Sequence, residues 1–167
     1  MELMIAMTLL AILSLAVISA YLFMGRNLER LGMTQLQDVA ARRLLWQFTQ
    51  DVGAANGFTS ITSSNLTFTV PTAGANVTIS YVYTTGNSTL TRTDATGPIS
   101  ILKNIDTSAT NGFIYYDESG TVTTSVPSLK QISFNFTTKA GNAAVGTQSS
   151  YVIVSPRVAL RNKALLK

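Results

Sequence analysis

Glu2-Leu3-Met4-Ile5-Ala6-Met7-Thr8-Leu9-Leu10-Ala11-Ile12-Leu13-Ser14-Leu15-Ala16-Val17-Ile18-Ser19-Ala20-Tyr21-Leu22-Phe23-Met24-Gly25 is the stretch that decides the architecture of this chain. A single carboxylate precedes 23 positions, Leu3 to Gly25, in which Thr8, Ser14, Ser19 and Tyr21 are the notable polar interruptions. At 1.5 Å rise per residue those positions make a helix of roughly 35 Å, enough to cross a hydrocarbon core of about 30 Å. The chain is therefore expected to start in a membrane. A carboxylate costs about 2.5–3.5 kcal/mol near a bilayer centre and less toward the interface. Glu2 either rests in the headgroup region or serves a purpose inside an apolar assembly.

Helical periodicity continues past Gly25. Between Arg26 and Gly53 there is no Pro, and apolar residues recur at Leu28, Leu31, Leu36, Ala40, Leu44, Phe48 and Val52, with Val39 and Leu45 broadening the stripe. That spacing predicts one helix that leaves the membrane and becomes amphipathic. Glu29, Arg30, Asp38, Arg42, Arg43 and Asp51 are expected on the remaining solvated faces, where Asp38 and Arg42 can pair at i, i+4. Gly25 and Gly32 are the positions where the rod is weakest, by up to ~1 kcal/mol each relative to Ala. Gly53 and Gly57 flank its expected end.

From Asn56 onward Thr, Ser, Asn and Gly dominate, and period-2 segments appear: Leu66-Thr67-Phe68-Thr69-Val70, Val77-Thr78-Ile79-Ser80-Tyr81-Val82-Tyr83 and Leu129-Lys130-Gln131-Ile132-Ser133-Phe134-Asn135-Phe136. These read as half-buried strands. Turn signals stand at Thr85-Gly86-Asn87, Asp117-Glu118-Ser119-Gly120 and Ala140-Gly141-Asn142. The first predicts a hairpin joining residues 77–83 to 89–93, and the second a hairpin joining 113–116 to 121–124. A last strand is expected through Tyr151-Val152-Ile153-Val154 and, past Pro156, Val158-Ala159-Leu160, with the Pro at an edge or bulge. The expected fold is α+β, a long amino-terminal helix packed on an antiparallel sheet. Its parts are residues 1–25 (membrane half), 26–55 (amphipathic half) and 56–167 (sheet domain, one modest core). Phe68, Tyr81, Tyr83, Phe113, Tyr115, Phe134 and Phe136 are the expected core aromatics.

Chemistry is limited by composition. With no Cys and no His, thiol nucleophiles, Ser-His-Asp triads and metal sites built from those ligands are excluded, so no enzymatic activity and no cofactor are expected. Asp117 and Glu118 beside Gly120 fall short of the roughly 6–8 oxygen ligands calcium takes, and a solvated turn is the simpler reading. Asn65, Asn76, Asn87 and Asn135 head Asn-x-Thr triplets that chance supplies in a chain rich in both residues. Charge is uneven: residues 54–167 carry four acids against eight bases, with Arg157, Arg161, Lys163 and Lys167 near the end. Such a tail is ordinarily solvated, though it can meet phosphate or an acidic partner.

The opening run, Met1-Glu2-Leu3-Met4-Ile5-Ala6-Met7-Thr8-Leu9-Leu10-Ala11-Ile12-Leu13, resembles the start of type IV pilins and type II secretion pseudopilins. In that family a basic leader is removed by a prepilin peptidase, and the mature chain begins Phe-Thr-Leu-(Ile/Met/Val)-Glu-Leu. Met1-Glu2-Leu3 match its last three positions, which makes Glu2 the family's assembly glutamate. Four cations follow the apolar run and none precedes it, so the positive-inside rule alone would hold the carboxyl-terminal side in the cytoplasm. A leader ahead of Met1 carrying Lys or Arg would reverse that, and the resemblance leads us to expect one. A cleavable secretory signal is the competing reading, but its apolar core would be about 7–15 residues.

Ala41-Arg42-Arg43-Leu44-Leu45-Trp46-Gln47-Phe48-Thr49-Gln50-Asp51-Val52, Phe113-Ile114-Tyr115-Tyr116-Asp117-Glu118-Ser119-Gly120 and Val158-Ala159-Leu160-Arg161-Asn162 extend the resemblance toward W-type minor pilins and J-type minor pseudopilins. No Pro stands at positions 17–21 and no Cys is present, unlike many major pilins. The resemblance implies a non-enzymatic subunit of a type IV pilus or type II secretion pseudopilus, probing toward a tip or priming role. It implies a single-pass protein of the bacterial inner membrane with a periplasmic domain, later part of a filament. Its implied partners are other pilin or pseudopilin subunits. The alternative is a membrane-tethered binding domain, such as a DNA-capturing minor pilin.

Overall fold

The computed structural model describes residues 1–72, 75–140 and 149–161. Among the described residues one helix, α1 (Glu2–Ala54), is followed by nine strands: β1 (Gly57–Ile61), β2 (Asn65–Thr72), β3 (Ala75–Thr84), β4 (Thr89–Asp94), β5 (Gly97–Leu102), β6 (Gly112–Tyr116), β7 (Gln131–Ala140), β8 (Ser149–Val154) and β9 (Val158–Ala159). The α+β expectation holds, with the helix packed on antiparallel sheets. α1 passes through Gly25 and Gly32 without interruption. It ends where Ala55 turns extended (ψ 134°) and the Asn56 N–H donates to Thr69 O at 2.9 Å, so the chain enters the sheet at once.

The first sheet is a meander, β1-β2-β3-β4-β5, and the second is built around β7, with β6 on one side and β8 and β9 on the other. Alternation sets the faces. Leu66 and Phe68 of β2, Ile79, Tyr81 and Tyr83 of β3, and Ile132, Phe134 and Phe136 of β7 are buried, while their sequence neighbours mostly face outward. All seven aromatics expected in the core are there. The turn between β1 and β2 ties the sheets together: Ser63 O accepts from Phe113 N at 2.9 Å, and the buried Tyr115 hydroxyl donates to Thr62 O at 2.7 Å. At that junction Gly112 has φ 147°, and a Cβ would collide with Ser63 O, so a side chain is excluded on two counts.

The expected β3–β4 hairpin forms, with Tyr83 opposite Leu90 and Thr84 opposite Thr89. The second forms only in rudiment: around a single antiparallel bridge, Tyr116 to Val122, the Asp117 N–H donates to Thr121 O at 3.0 Å and the Thr123 N–H to Tyr115 O at 2.9 Å. The longer pairing of β6 is with β7 on its other edge, from Gly112 opposite Asn135 to Tyr116 opposite Gln131. Val122, the one apolar residue of the 121–124 arm, is exposed, whereas β7 offers Ile132, Phe134 and Phe136 to the core, so burial extends that pairing and not the hairpin. The last strand breaks at Pro156 as expected: Asn135 faces Val154 and Ile132 faces Val158, so Pro156 and Arg157 stand opposite Ser133 as a bulge. Two strands went unanticipated, β1 and β5, because neither alternates cleanly in sequence or burial. Of the expected Ala140-Gly141-Asn142 turn, positions 141 and 142 lie outside the described residues, as do Asn162, Lys163 and Lys167 of the basic tail.

Candidate assembly interface

α1 has two halves of opposite surroundings. Residues 1–36 are exposed apart from a half-covered Asn27, and none of the membrane-length apolar window within them is buried among the described residues. The helix is long and apolar enough to cross a membrane. Two of its polar interruptions are locally satisfied: the Thr8 hydroxyl donates to Ile5 O and the Ser14 hydroxyl to Leu10 O, each at 2.8 Å. Such back-bonding lets a hydroxyl sit in an apolar medium without an orphaned donor. Glu2 occupies the first turn, fully outward, where a carboxylate complements the positive end of the helix dipole.

From Gln37 onward the helix is held. Ala41, Leu44, Phe48 and Val52 are buried. Phe48 is the keystone: its ring lies 5.6 Å from Tyr81, 6.1 Å from Phe113 and 4.8 Å from Phe134, joining the helix to both sheets. The expected stripe is thus corrected in its first half. Leu28, Leu31, Leu36 and Val39 remain exposed because the sheets do not reach them, and Ala41 takes a core place instead. Trp46, 69% exposed, borders a shallow groove with Leu45 and Pro156. Exposed apolar surface therefore runs from Leu3 past the membrane-length segment to Trp46.

Asp51 also departs from expectation. Placed by the periodicity on a solvated face, it turns inward and accepts from the Tyr81 hydroxyl at 2.6 Å and from Arg92 Nε at 2.7 Å. Arg92 also donates to Asp94, and only 9% of its side chain is accessible. Burial disfavours the Arg92 charge, but the bonds to Asp51 and Asp94 outweigh it and hold the guanidinium above its usual pKa. Burial first, and then the Asp51 carboxylate, pushes the Tyr81 phenol up. Asp94 is held down to about 2 by the Thr96 hydroxyl and Arg92. The signal was present in the sequence, since Asp51 lies three positions after Phe48 on the same face. Two lighter ties reach farther down the helix: Tyr151 OH donates to Asp38 at 3.3 Å, and Gln37 Nε2 to Thr138 Oγ1 at 3.1 Å. The expected Asp38–Arg42 pair forms at 2.9 Å.

The other candidates lie elsewhere. Asp117 is spent within its own turn, accepting from Ser119 Oγ at 2.7 Å and Thr121 N at 2.9 Å, contacts that lower its pKa. Among the described residues no group of three or more His, Cys, Asp or Glu is placed to hold a metal. Asp106 pairs with Lys139 at 2.7 Å and is held down to about 2 by Lys139 and Ser108. Arg157 lies 4.0 Å over the Tyr116 ring. Asn76 and Asn87 are exposed, and Asn135 lies half-buried in β7.

The chain shows no significant match to a protein-family model, to a curated protein or to a solved structure. What stands is one membrane-length helix continued into an antiparallel α+β domain, an arrangement compatible with a pilin-like fold.

Proposed function

We propose that this protein is a non-enzymatic minor subunit of a type IV pilus or type II secretion pseudopilus. The observation that carries the reading is the apolar face of α1, exposed from Leu3 to Val39 and covered by none of the described residues. In a bilayer lipid covers the first part; in a filament neighbouring helices would cover all of it. On this reading the molecule waits in the bacterial inner membrane with its sheet domain in the periplasm and is then drawn into the filament. The Glu2 carboxylate pairs with the free amino terminus of a neighbour, since opposite charges in an apolar bundle stabilise each other where either alone is costly.

The alternative of a DNA-capturing domain has less to stand on. Of the cations in the described sheet domain, Arg92 and Lys139 are neutralised by carboxylates and Arg157 is stacked on Tyr116. Glu2→Ala tests the assembly reading: we expect the variant to accumulate in membranes with its domain folded and to be lost from sheared filament fractions. Normal incorporation would refute it. Mass spectrometry of the protein from its host tests the processing step, with an N-methylated residue three positions ahead of Met1 expected.

A further inference from the structure

Where α1 leaves the sheet domain it roofs a cleft of about 390 Å³, whose apolar walls include Met33, Leu36, Ala40 and Leu102. That volume lies in the range of small-molecule sites, about 300–1,000 Å³ with apolar walls and a few polar groups. Two polar groups stand out. Gln37 Oε1 is buried and has no hydrogen-bond donor, although its Nε2 is engaged by Thr138. Lys103 is exposed at the rim and belongs to none of the ion pairs among the described residues.

Position identifies the occupant. Met33 lies eight residues beyond Gly25, about 12 Å along the helix axis, so the cleft opens just above the headgroup layer if the apolar run spans the bilayer. Arg26 and Arg30 precede Met33 by seven and three residues and share its helix face, continuing the line through Gln37 and Ala40 toward the membrane. Glu29 is the only acid between positions 26 and 37. The line of approach is thus cationic below and apolar above, with one orphaned acceptor inside.

We propose that this cleft binds an anionic, hydroxyl-bearing membrane lipid, which rests on the membrane anchorage of α1. An acyl chain lies against Met33, Leu36 and Ala40, the phosphate meets Lys103 and Arg30, and a headgroup hydroxyl donates to Gln37 Oε1. The lipid fixes the angle at which the domain stands over the bilayer.

Native mass spectrometry of the full chain in mild detergent, with dioleoyl phosphatidylglycerol or phosphatidylcholine added, reads this directly. One phosphatidylglycerol retained per chain is expected, favoured over phosphatidylcholine about fivefold or more, and Lys103→Gln should reduce that preference by about fivefold. Ala40→Phe, which fills the cleft, and Met33→Trp, which narrows its exposed mouth without touching the core, should both abolish retention. Glycerol phosphate, carrying the charge without the chain, should not be retained. Retention that survives Met33→Trp in folded protein, equal retention of glycerol phosphate, or no retention by the parent chain would overturn the proposal. Vesicle flotation separates the underlying premise: a chain that floats but retains no lipid defeats the cleft alone, and one that does not float defeats the anchorage too.

Discussion

The two halves of α1 share one unbroken backbone and an apolar character, yet residues 1–36 touch almost nothing while residues 41–52 carry the core. Helix propensity does not separate them; tertiary coverage does. A helix interior buries what a sheet reaches, and the sheets reach only as far as Gln37. The rest is left for another medium. On the assembly reading proposed above, folding and assembly are allotted to different lengths of one rod, so substitutions should affect one process or the other.

The largest effect on folding should come from Phe48→Ala. Removing a fully buried ring in contact with three other aromatics is expected to cost about 3–5 kcal/mol, read by denaturant unfolding of the full chain in micelles. Leu9→Ala should change the same reading by less than about 0.5 kcal/mol. A comparable loss at both positions would erase the distinction between the halves.

Asp51→Ala comes next. It leaves the nearly buried Arg92 guanidinium and the Tyr81 hydroxyl short of an acceptor, a loss of about 2–3 kcal/mol. Adding Arg92→Met should recover part of it, because the uncompensated charge is then gone. If Asp51→Ala alone is neutral, the network does not anchor the helix.

Acid should loosen the anchored half alone. Asp94 and Asp106 are both held down to about 2 in the folded protein, below the ordinary Asp value of about 3.9. Their contribution is therefore full above about pH 4 and is lost as the pH falls through about 2. Unfolding midpoints measured from pH 5 to pH 2 should decline over that window, and Asp94→Asn with Asp106→Asn should flatten the decline. An unchanged slope in the double variant would remove these two groups from the account.

The smallest effect on folding is expected at the exposed stripe. Leu31→Ser and Trp46→Ser should shift stability by no more than about 0.5 kcal/mol, while both lower incorporation into filaments. Co-sedimentation with sheared filaments separates these outcomes, since a stripe without a partner would leave incorporation unchanged.

Much of this division is legible in the residues. The mostly apolar run of 23 positions behind Glu2 reads as a membrane-length helix, and period-2 alternation places β2, β3 and β7 with their aromatics inward. What periodicity does not carry is where a packing partner stops. Leu28, Leu31 and Leu36 are as apolar as Leu44 and Phe48, so side-chain type does not distinguish the free stripe from the buried one. β5 begins Gly97-Pro98 and sits at a sheet edge, where strands need no alternating pattern. Asp51 shares the Phe48 face, a signal of its inward position, but the partners that hold it there, Tyr81 and Arg92, come from strands 30 and 41 residues away and carry no local mark. The lipid cleft likewise exists only where α1, β5 and β7 converge.

The central claim is that the uncovered face of α1 is covered by other subunits. A photo-crosslinking amino acid placed at Leu9, Leu28 or Leu31 in the host, with exposed Thr96 on the sheet domain as the reference, tests it most directly. The account predicts adducts at the three helix positions to proteins that themselves begin with a membrane-length apolar helix, and few at Thr96. Adducts to lipid alone, or a yield at Leu28 and Leu31 no greater than at Thr96, would contradict it.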